Sequence, residues 1–594
     1  MGLPWLDQPV MLHSSRADSC KLTTEQCAYR SGHWRYWYQS DHVYALNTIY
    51  FLCATVGVFM IVRILAKYSP VSVRRTAVWR KATATGRYLA YKSFRLPCIF
   101  NFPSLGVPLL IIVGAIFFFA MTLGPKPYYW PNTETVSYGG SPPIATRAGW
   151  MALGLLPFVL ALGAKANLIS ALTGVTHEKL QVFHHWTSYA MFVLALVHTF
   201  PFIIVHIQKG DMMKQWRTEI TYWTGVAALI PQAYLTIMSL PAVRNRFYEF
   251  FKATHLLAAF LFILFFFFHC DFRLSSWDYF IATVAIYLLS LLISFTKTHL
   301  IHGRHRATFE LLPCGFLRIT VPTVTVVWRP AQHVFIRFLS PRLGLHSLTA
   351  HPFTITTTSA SKQTPNGNLC PSLTFYIQPR AGITGRLAQL ARRHPGFSMP
   401  VLLEGPYGGI SHDNDLARFN HVILVTGGSG GGFSLGILEE LIPRQNPQNH
   451  TAIIIFATRS PAVAEWYQGE LNRILLQRFS SPESVIDVHI DIYITSPSPS
   501  ASPSPNPPKE IPQPSNPNTT LPINLHPSHR PDLPHLLSTT VPTTQGPSNE
   551  AQRIGIFTCG PASMVHDVRN AAAEAQFRYE EGVEEVYLHT EMFS

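Results

Sequence analysis

Four histidines recur at one spacing inside apolar sequence. His184 and His198 are 14 residues apart, and so are His255 and His269. At about 100° per residue, 14 residues fall within about 40° of four full helical turns. Each pair therefore lies on one helix face, with about 21 Å between its members along the axis. Histidine inside a membrane span is costly and marks function. Two levels, each with one imidazole from each of two facing helices, suit bis-histidine haem. The bundle supplies neutral nitrogen ligands and room for a macrocycle. Two stacked haems would carry electrons across about 30 Å of hydrocarbon. No CxxCH motif occurs, so both are expected to be non-covalent, b-type. His185 competes with His184, but it lies 13 residues from His198 and so about 140° off that face. His206, eight residues beyond His198, reads as interfacial or as part of an acceptor site. His299, His302 and His305 fall in a basic stretch and read as solvated.

A second chemistry is written further on. His421-Val-Ile-Leu-Val-Thr reads as a buried strand, followed by Gly427-Gly-Ser-Gly-Gly-Gly-Phe and a helix over 434–441. Strand, glycine loop and helix bring backbone amides up to a dinucleotide pyrophosphate, here those of Gly427, Gly428, Ser429 and Gly430. A second strand over 452–457 ends in Thr458-Arg459-Ser460. Arg459 there would meet a 2′-phosphate, which favours NADPH over NADH. A strand over 554–558 ends in Cys559-Gly560-Pro561. Upstream, alternating segments at 308–319, 323–328 and 333–338 suggest a small antiparallel barrel. After them come His351-Pro-Phe-Thr-Ile, Ala381-Gly-Ile-Thr-Gly-Arg-Leu and Glu404-Gly-Pro-Tyr-Gly-Gly. Gly382 and Thr384 would open a helix whose free N–H groups receive a phosphate.

The elements that must hold these residues follow from composition. The chain has 594 residues, 47% hydrophobic and 13% charged. That charged fraction is about half the usual soluble value, which excludes a single soluble domain and a wholly disordered chain. Seven stretches lack Asp, Glu, Lys and Arg for about the length a bilayer requires: 44–62, 105–123, 148–164, 186–205, 221–243, 253–270 and 279–296. The segment between the first two carries Arg63, Lys67, Arg74, Arg75, Arg80, Lys81, Arg87, Lys92 and Arg95 without an acid, so it is expected in the cytoplasm. Counting onward puts the N-terminus outside and the C-terminus inside. The formal net charge of +14 then reads as a topology signal, and nucleic-acid binding is not expected. Residues 1–43, without a basic n-region, are expected to be an extracellular N-terminus rather than a cleavable signal peptide. Cys20 and Cys27 fall there, six residues apart between them, and do not by spacing alone define a disulfide. Residues 44–104 hold the first span and its basic loop, 105–296 a six-helix core, 297–415 the barrel and 416–594 the nucleotide domain. Within the last, 496–550 holds 15 prolines and is expected to be a disordered insertion.

In order and combination, the His-x13-His pairs, His351-Pro-Phe-Thr, Gly427-Gly-Ser-Gly and Cys559-Gly-Pro resemble the ferric reductase transmembrane family. More closely, the chain resembles fungal ferric-chelate reductases of the plasma membrane. The resemblance runs from about residue 100 to the end, apart from the proline-rich insertion. It implies an all-α transmembrane haem domain, here of seven helices with the first an addition. It also implies a cytoplasmic ferredoxin-reductase-like module, made of an antiparallel β-barrel FAD domain and an α/β Rossmann-like NADPH domain. His184, His198, His255 and His269 match the haem ligands. His351, Pro352, Phe353 and Thr354 match the flavin-contacting stretch, and Gly382 and Thr384 its phosphate-side loop. Gly427, Gly428, Ser429 and Gly430 match the NADPH loop. Cys559, Gly560 and Pro561 match the strand end beside the nicotinamide, with Cys559 lining the hydride-transfer site. Two departures stand out. The chain ends Glu591-Met-Phe-Ser594, so Phe593 would cover the flavin where relatives place a terminal aromatic. Glycines fill 430–432 where relatives often carry larger residues, which is expected to loosen nucleotide binding. The implied activity is transfer of electrons from cytosolic NADPH through FAD and two b-type haems to external ferric, or cupric, chelates. The lipid bilayer is its setting, in the plasma or the vacuolar membrane, and iron permease or oxidase partners act downstream. Its nearest rival is a superoxide-forming NADPH oxidase. A histidine-relay proton or ion channel is a rival of another class, and leaves the nucleotide motifs unexplained.

Overall fold

The computed structural model describes residues 22–32, 41–95, 101–102, 104–124, 141–244, 246–358, 371–380, 382–410, 415–441, 450–478, 486–496, 523–540, 552–581 and 583–592. The chain divides into two compact units. One comprises Met1–Tyr68 and Leu110–Ser294, the other Ser69–Leu109 and Phe295–Ser594.

The first unit is helical. Its centre is the Pro143–Gly163 helix, buried on nearly every face. Ala145, Ala148, Gly149, Ala152 and Gly154 give it a small cross-section, and small residues let apolar helices approach without a side chain between them. A Cβ at Gly154 would stand 3.1 Å from the Ala45 carbonyl oxygen. This helix packs on His177–Gln208, and Ile220–Met238 packs on Tyr248–Cys270. The expected span at 148–164 begins five residues early because the charge at Arg147 does not end it. Arg147 is only 6% exposed, and its guanidinium lies 5.7 Å from the Tyr44 ring centroid, an arrangement that shelters a cation within an apolar bundle.

Among the described residues six helices, not the expected seven, are long and apolar enough to cross a membrane: Val43–Tyr68, Gly106–Leu123, Pro143–Gly163, His177–Gln208, Phe250–Cys270 and Ser276–His302. The remaining expected span does form a helix, Ile220–Met238. Thr221, Tyr222, Thr224, Pro231 and Gln232 dilute its apolar sequence, and Thr224 and Gln232 are turned inward and buried.

The second unit holds two sheets. One is antiparallel, in the order Ala350–Thr354, Gln332–Phe338, Ser398–Gly408, Arg304–Leu311, Leu317–Pro322, Ser372–Ile377. Alternating burial along Leu317–Pro322 is the period-2 pattern of strands with one face on a core. The other is parallel, in the order Ile523–Pro527, Ile486–Ile494, His450–Thr458, His421–Gly427, Gln552–Gly560, Val583–Met592. Its central strands His421–Gly427 and His450–Thr458 are largely apolar runs, as a parallel sheet covered on both faces requires, while polar residues enter toward the edges at Ile523–Pro527 and Val583–Met592. The chain builds outward from His421–Gly427 on one side, then returns to its other side. That reversal is the topological switch point where open α/β sheets bind ligands.

Two expectations about boundaries change. Residues 496–550 are not wholly disordered. Ile523–Pro527 pairs in parallel with Ile486–Ile494, and Leu533–Thr540 is a helix with Leu533 and Leu537 buried. His526 explains this local order: it stacks on Tyr493 with centroids 4.3 Å apart and bonds Asp491 at 3.0 Å. The basic loop between the first two spans is also more than a linker. Its helix Ala77–Tyr91 belongs to the second unit. Arg87 pairs with Glu585, which also takes Arg418. The Leu588 N–H donates to the Tyr91 hydroxyl at 3.2 Å, and the Arg569 guanidinium donates to the Ala90 carbonyl at 2.8 Å. Cys27 is disulfide-bonded, while Cys20 lies outside the described residues.

Candidate functional site

The four intramembrane histidines meet in two pairs. The ring centroids of His184 and His255 are 6.4 Å apart, and those of His198 and His269 are 5.7 Å apart. Two metal–imidazole bonds of about 2 Å, plus about 1 Å from each ring centre to its nitrogen, require about 6 Å. Each pair is thus spaced so that its two imidazoles would hold one iron between them.

Three of the rings are seated in the same way. His184 Nδ1 lies 2.8 Å from the Val159 carbonyl oxygen, His198 Nδ1 2.8 Å from that of Ala145, and His269 Nδ1 2.7 Å from that of Thr221. A carbonyl only accepts, so each Nδ1 carries the proton and each Nε2 is left as the bare ligand nitrogen. Four residues beyond each carbonyl stands a glycine. A Cβ at Gly163 would come within 3.1 Å of His184 Nδ1, at Gly149 within 2.5 Å of His198 Nδ1, and at Gly225 within 2.9 Å of His269 Nδ1. The glycine is a notch that lets the ring lie against the helix and reach the carbonyl one turn back. Sequence reading missed these notches, although Gly149 and Gly163 repeat the 14-residue spacing of the histidines they receive. His255 differs: its Nδ1 is buried and has no hydrogen-bond partner among the described residues. His185 lies beside His184, with centroids 5.9 Å apart, and is not a member of either pair.

A cavity of about 370 Å³ runs from His198 and His269 to His206, Gln215, Glu219, Tyr222 and Arg273. His206 therefore opens onto the space beside one histidine pair rather than serving only as an interfacial residue. Its Nδ1 bonds Asp211 at 2.8 Å, and Asp211 also accepts from Gln215 at 3.1 Å.

In the second unit, the switch point carries the nucleotide motifs. Gly427 ends its strand, and Gly428 takes φ +56°, a backbone that favours glycine. A Cβ at Gly560 would stand 3.3 Å from the Gly427 nitrogen. The two strand ends meet closely ahead of the Gly431–Leu441 helix, with Met564 packed against both, while the space beside Gly428 is open, as a pyrophosphate loop at a helix N-terminus needs. Gly431 and Gly432, expected to loosen nucleotide binding, are instead tightly packed. A Cβ at Gly431 would meet the Tyr467 ring at 2.9 Å, and one at Gly432 the Thr356 methyl at 2.6 Å. Close packing against those two residues excludes a larger side chain. Arg459 is exposed just beyond the His450–Thr458 strand.

Cys559 is wholly buried. Burial, followed by the charge of Glu591, pushes its thiol well above the ordinary range. It therefore stays a neutral thiol near pH 7. In the barrel, His351 accepts or donates through Nε2 to the Thr349 hydroxyl at 2.9 Å. Pro352 is exposed, and Phe353 anchors its strand on Phe338 and Phe375. Gly382, at φ +88°, precedes the Ile383–Arg393 helix. The Thr384 hydroxyl accepts from the Arg380 N–H at 3.0 Å. Phe593 lies outside the described residues.

Comparison with known proteins agrees with this division. Residues 148–266 match the family model "Ferric reductase like transmembrane component", 301–411 "FAD-binding domain" and 419–573 "Ferric reductase NAD binding domain". The chain is 32% identical over 413 residues to "Probable cell surface ferric reductase kap2" of Aspergillus oryzae, an alignment covering 66% of this chain and 53% of that one. It is 28% identical over 436 residues to "Ferric/cupric reductase transmembrane component 7" of Saccharomyces cerevisiae, covering 70% and 67%. The chain thus spans about half the length of the Aspergillus relative.

Proposed function

Since the chain belongs to the ferric reductase transmembrane family, we propose that this multi-pass membrane protein oxidises NADPH on one side of the bilayer and reduces a ferric or cupric chelate on the other. The membrane is the plasma membrane, with the N-terminus outside and the nucleotide module in the cytoplasm. The observation that carries this reading is the pair of histidine pairs at 6.4 and 5.7 Å in a chain that also holds FAD- and NAD-binding domains.

His184 with His255 would hold the inner haem and His198 with His269 the outer one. When bound, the flavin supplies the change from two-electron to one-electron chemistry and the haems supply a route across the hydrocarbon. The chain's own work is positional. Gly149, Gly163 and Gly225 admit the rings, and the carbonyls of Ala145, Val159 and Thr221 fix which nitrogen faces the iron. The loop Gly427, Gly428, Ser429 and Gly430, open beside Gly428, would receive the pyrophosphate, and His351-Pro-Phe-Thr would line the flavin. At the far rim, Arg273, Gln215 and His206 offer an anionic metal chelate charge and donors. No general acid or base is needed there, because only an electron leaves.

The test is NADPH-dependent reduction of an external ferric chelate by cells expressing the chain in a reductase-deficient background, with superoxide dismutase present. Reduction is expected to survive the dismutase. Abolition by the dismutase would replace iron with oxygen as the acceptor. A second expectation concerns Arg459, which we place against the 2′-phosphate. A charge-assisted hydrogen bond is worth about 1.5–3 kcal/mol, so Arg459→Ala is expected to raise the KM for NADPH roughly 10- to 100-fold with that for NADH unchanged. An equal change for both nucleotides would remove Arg459 from that role.

A further inference from the structure

The histidine seats follow a rule with one exception. On the Pro143–Gly163 helix the two notches, Gly149 and Gly163, are 14 residues apart and receive His198 and His184. On the facing pair of helices Gly225 receives His269. Counting the same 14 residues onward from Gly225, while stepping back 14 from His269 to His255, leads to position 239. That residue is serine. Ser239 caps the Ile220–Met238 helix with helical angles, φ −78° and ψ −10°, so the register is unbroken. It is 8% exposed.

The carbonyl one turn before it, Leu235, is the counterpart of those of Ala145, Val159 and Thr221. A carbonyl oxygen has two lone pairs. At Leu235 one accepts the Ser239 backbone N–H at 3.2 Å, and the Ser239 hydroxyl donates to the same oxygen. The position therefore carries a Cβ where the other seats have none, and its own hydroxyl takes the acceptor that the ring would use. His255 Nδ1 is the one ligand nitrogen of the four without a partner among the described residues.

Resting on the haem reading above, we propose that Ser239 is a positioning residue that leaves His255 untethered, so that the two haem sites are electronically unequal. An imidazole whose Nδ1–H is donated to a carbonyl is the more basic ligand and favours the oxidised iron. The outer site has two such ligands and the inner site one. The inner site accepts an electron more readily, and the outer site releases it more readily to an external acceptor.

The experiment is a redox titration of the visible haem bands in the purified full-length protein, with the haem-to-protein ratio measured alongside. The wild type is expected to titrate as two components. In Ser239→Gly the notch opens and Leu235 is freed, so the higher midpoint is expected to fall toward the lower one, which stays put. In Ser239→Ala the Cβ remains, and the wild-type pair of midpoints is expected to persist. Two haems with midpoints unmoved in Ser239→Gly would overturn the inference while leaving the haem assignment intact. An equal shift in Ser239→Ala would overturn the notch argument. A wild type with no haem bands would overturn the haem reading and this inference with it.

Discussion

His198→Ala is expected to halve the haem bound per protein and to leave the flavin content unchanged. The ring it removes faces His269 at 5.7 Å and is held by the Ala145 carbonyl at 2.8 Å. Alanine leaves the Gly149 notch empty and His269 as a lone ligand in an apolar cavity. Loss of an outer-shell partner alone costs metal sites up to about 100-fold, so loss of the ligand is expected to abolish chelate reduction. NADPH-driven reduction of a soluble dye, which draws electrons from the flavin module, is expected to persist. Pyridine haemochrome and flavin fluorescence on the same sample decide the matter, and an unchanged haem ratio would rule His198 out as a ligand.

The second large effect concerns the cytoplasmic module. Glu585 is buried between Arg87, from the helix after the first span, and Arg418. Burial alone would raise its carboxyl. The charges of the two arginines and their hydrogen bonds outweigh that and hold it below the ordinary glutamate range. Glu585→Gln keeps the shape and deletes the charge, leaving two guanidiniums facing an amide. Breaking a buried pair in this way costs about 3 kcal/mol. Thermal unfolding of the module is expected at a lower temperature, with faster proteolysis around 69–92. The sign of the pH dependence follows from the lowered pKa. The stabilisation is full above the ordinary glutamate range and is lost as the pH falls through the folded value. The gap between wild type and E585Q is therefore expected to close in acid. A gap that stays constant with pH would mean the carboxylate charge is not its source.

Much of this protein was legible in one dimension because the physics involved is local. Among the described residues, six helices long and apolar enough to cross a bilayer fell where charge-free stretches predicted them, since a bilayer fixes span length. The histidine pairs were visible because 14 residues nearly close four helical turns. Strand, glycine loop and helix at 421–441 were visible because the positive φ at Gly428 restricts residue choice. Other features depended on which partner each residue meets. Arg147 read as the edge of a span until Tyr44 covered it. His526 read as part of a proline-rich insertion until Tyr493 stacked on it. The glycines at 431 and 432 read as slack until Tyr467 and Thr356 pressed on them.

The sequence by itself determined the class of chemistry, because ligand type and helical period are properties of single segments. Only the tertiary structure decided how each ligand is held. The Gly149, Gly163 and Gly225 notches, the carbonyl bonds and the exception at Ser239 arise where two helices face each other. The docking of Arg87 on Glu585 joins residues 498 apart in the chain. Contacts of that kind are set by packing across elements, and a pattern within one element does not encode its neighbour.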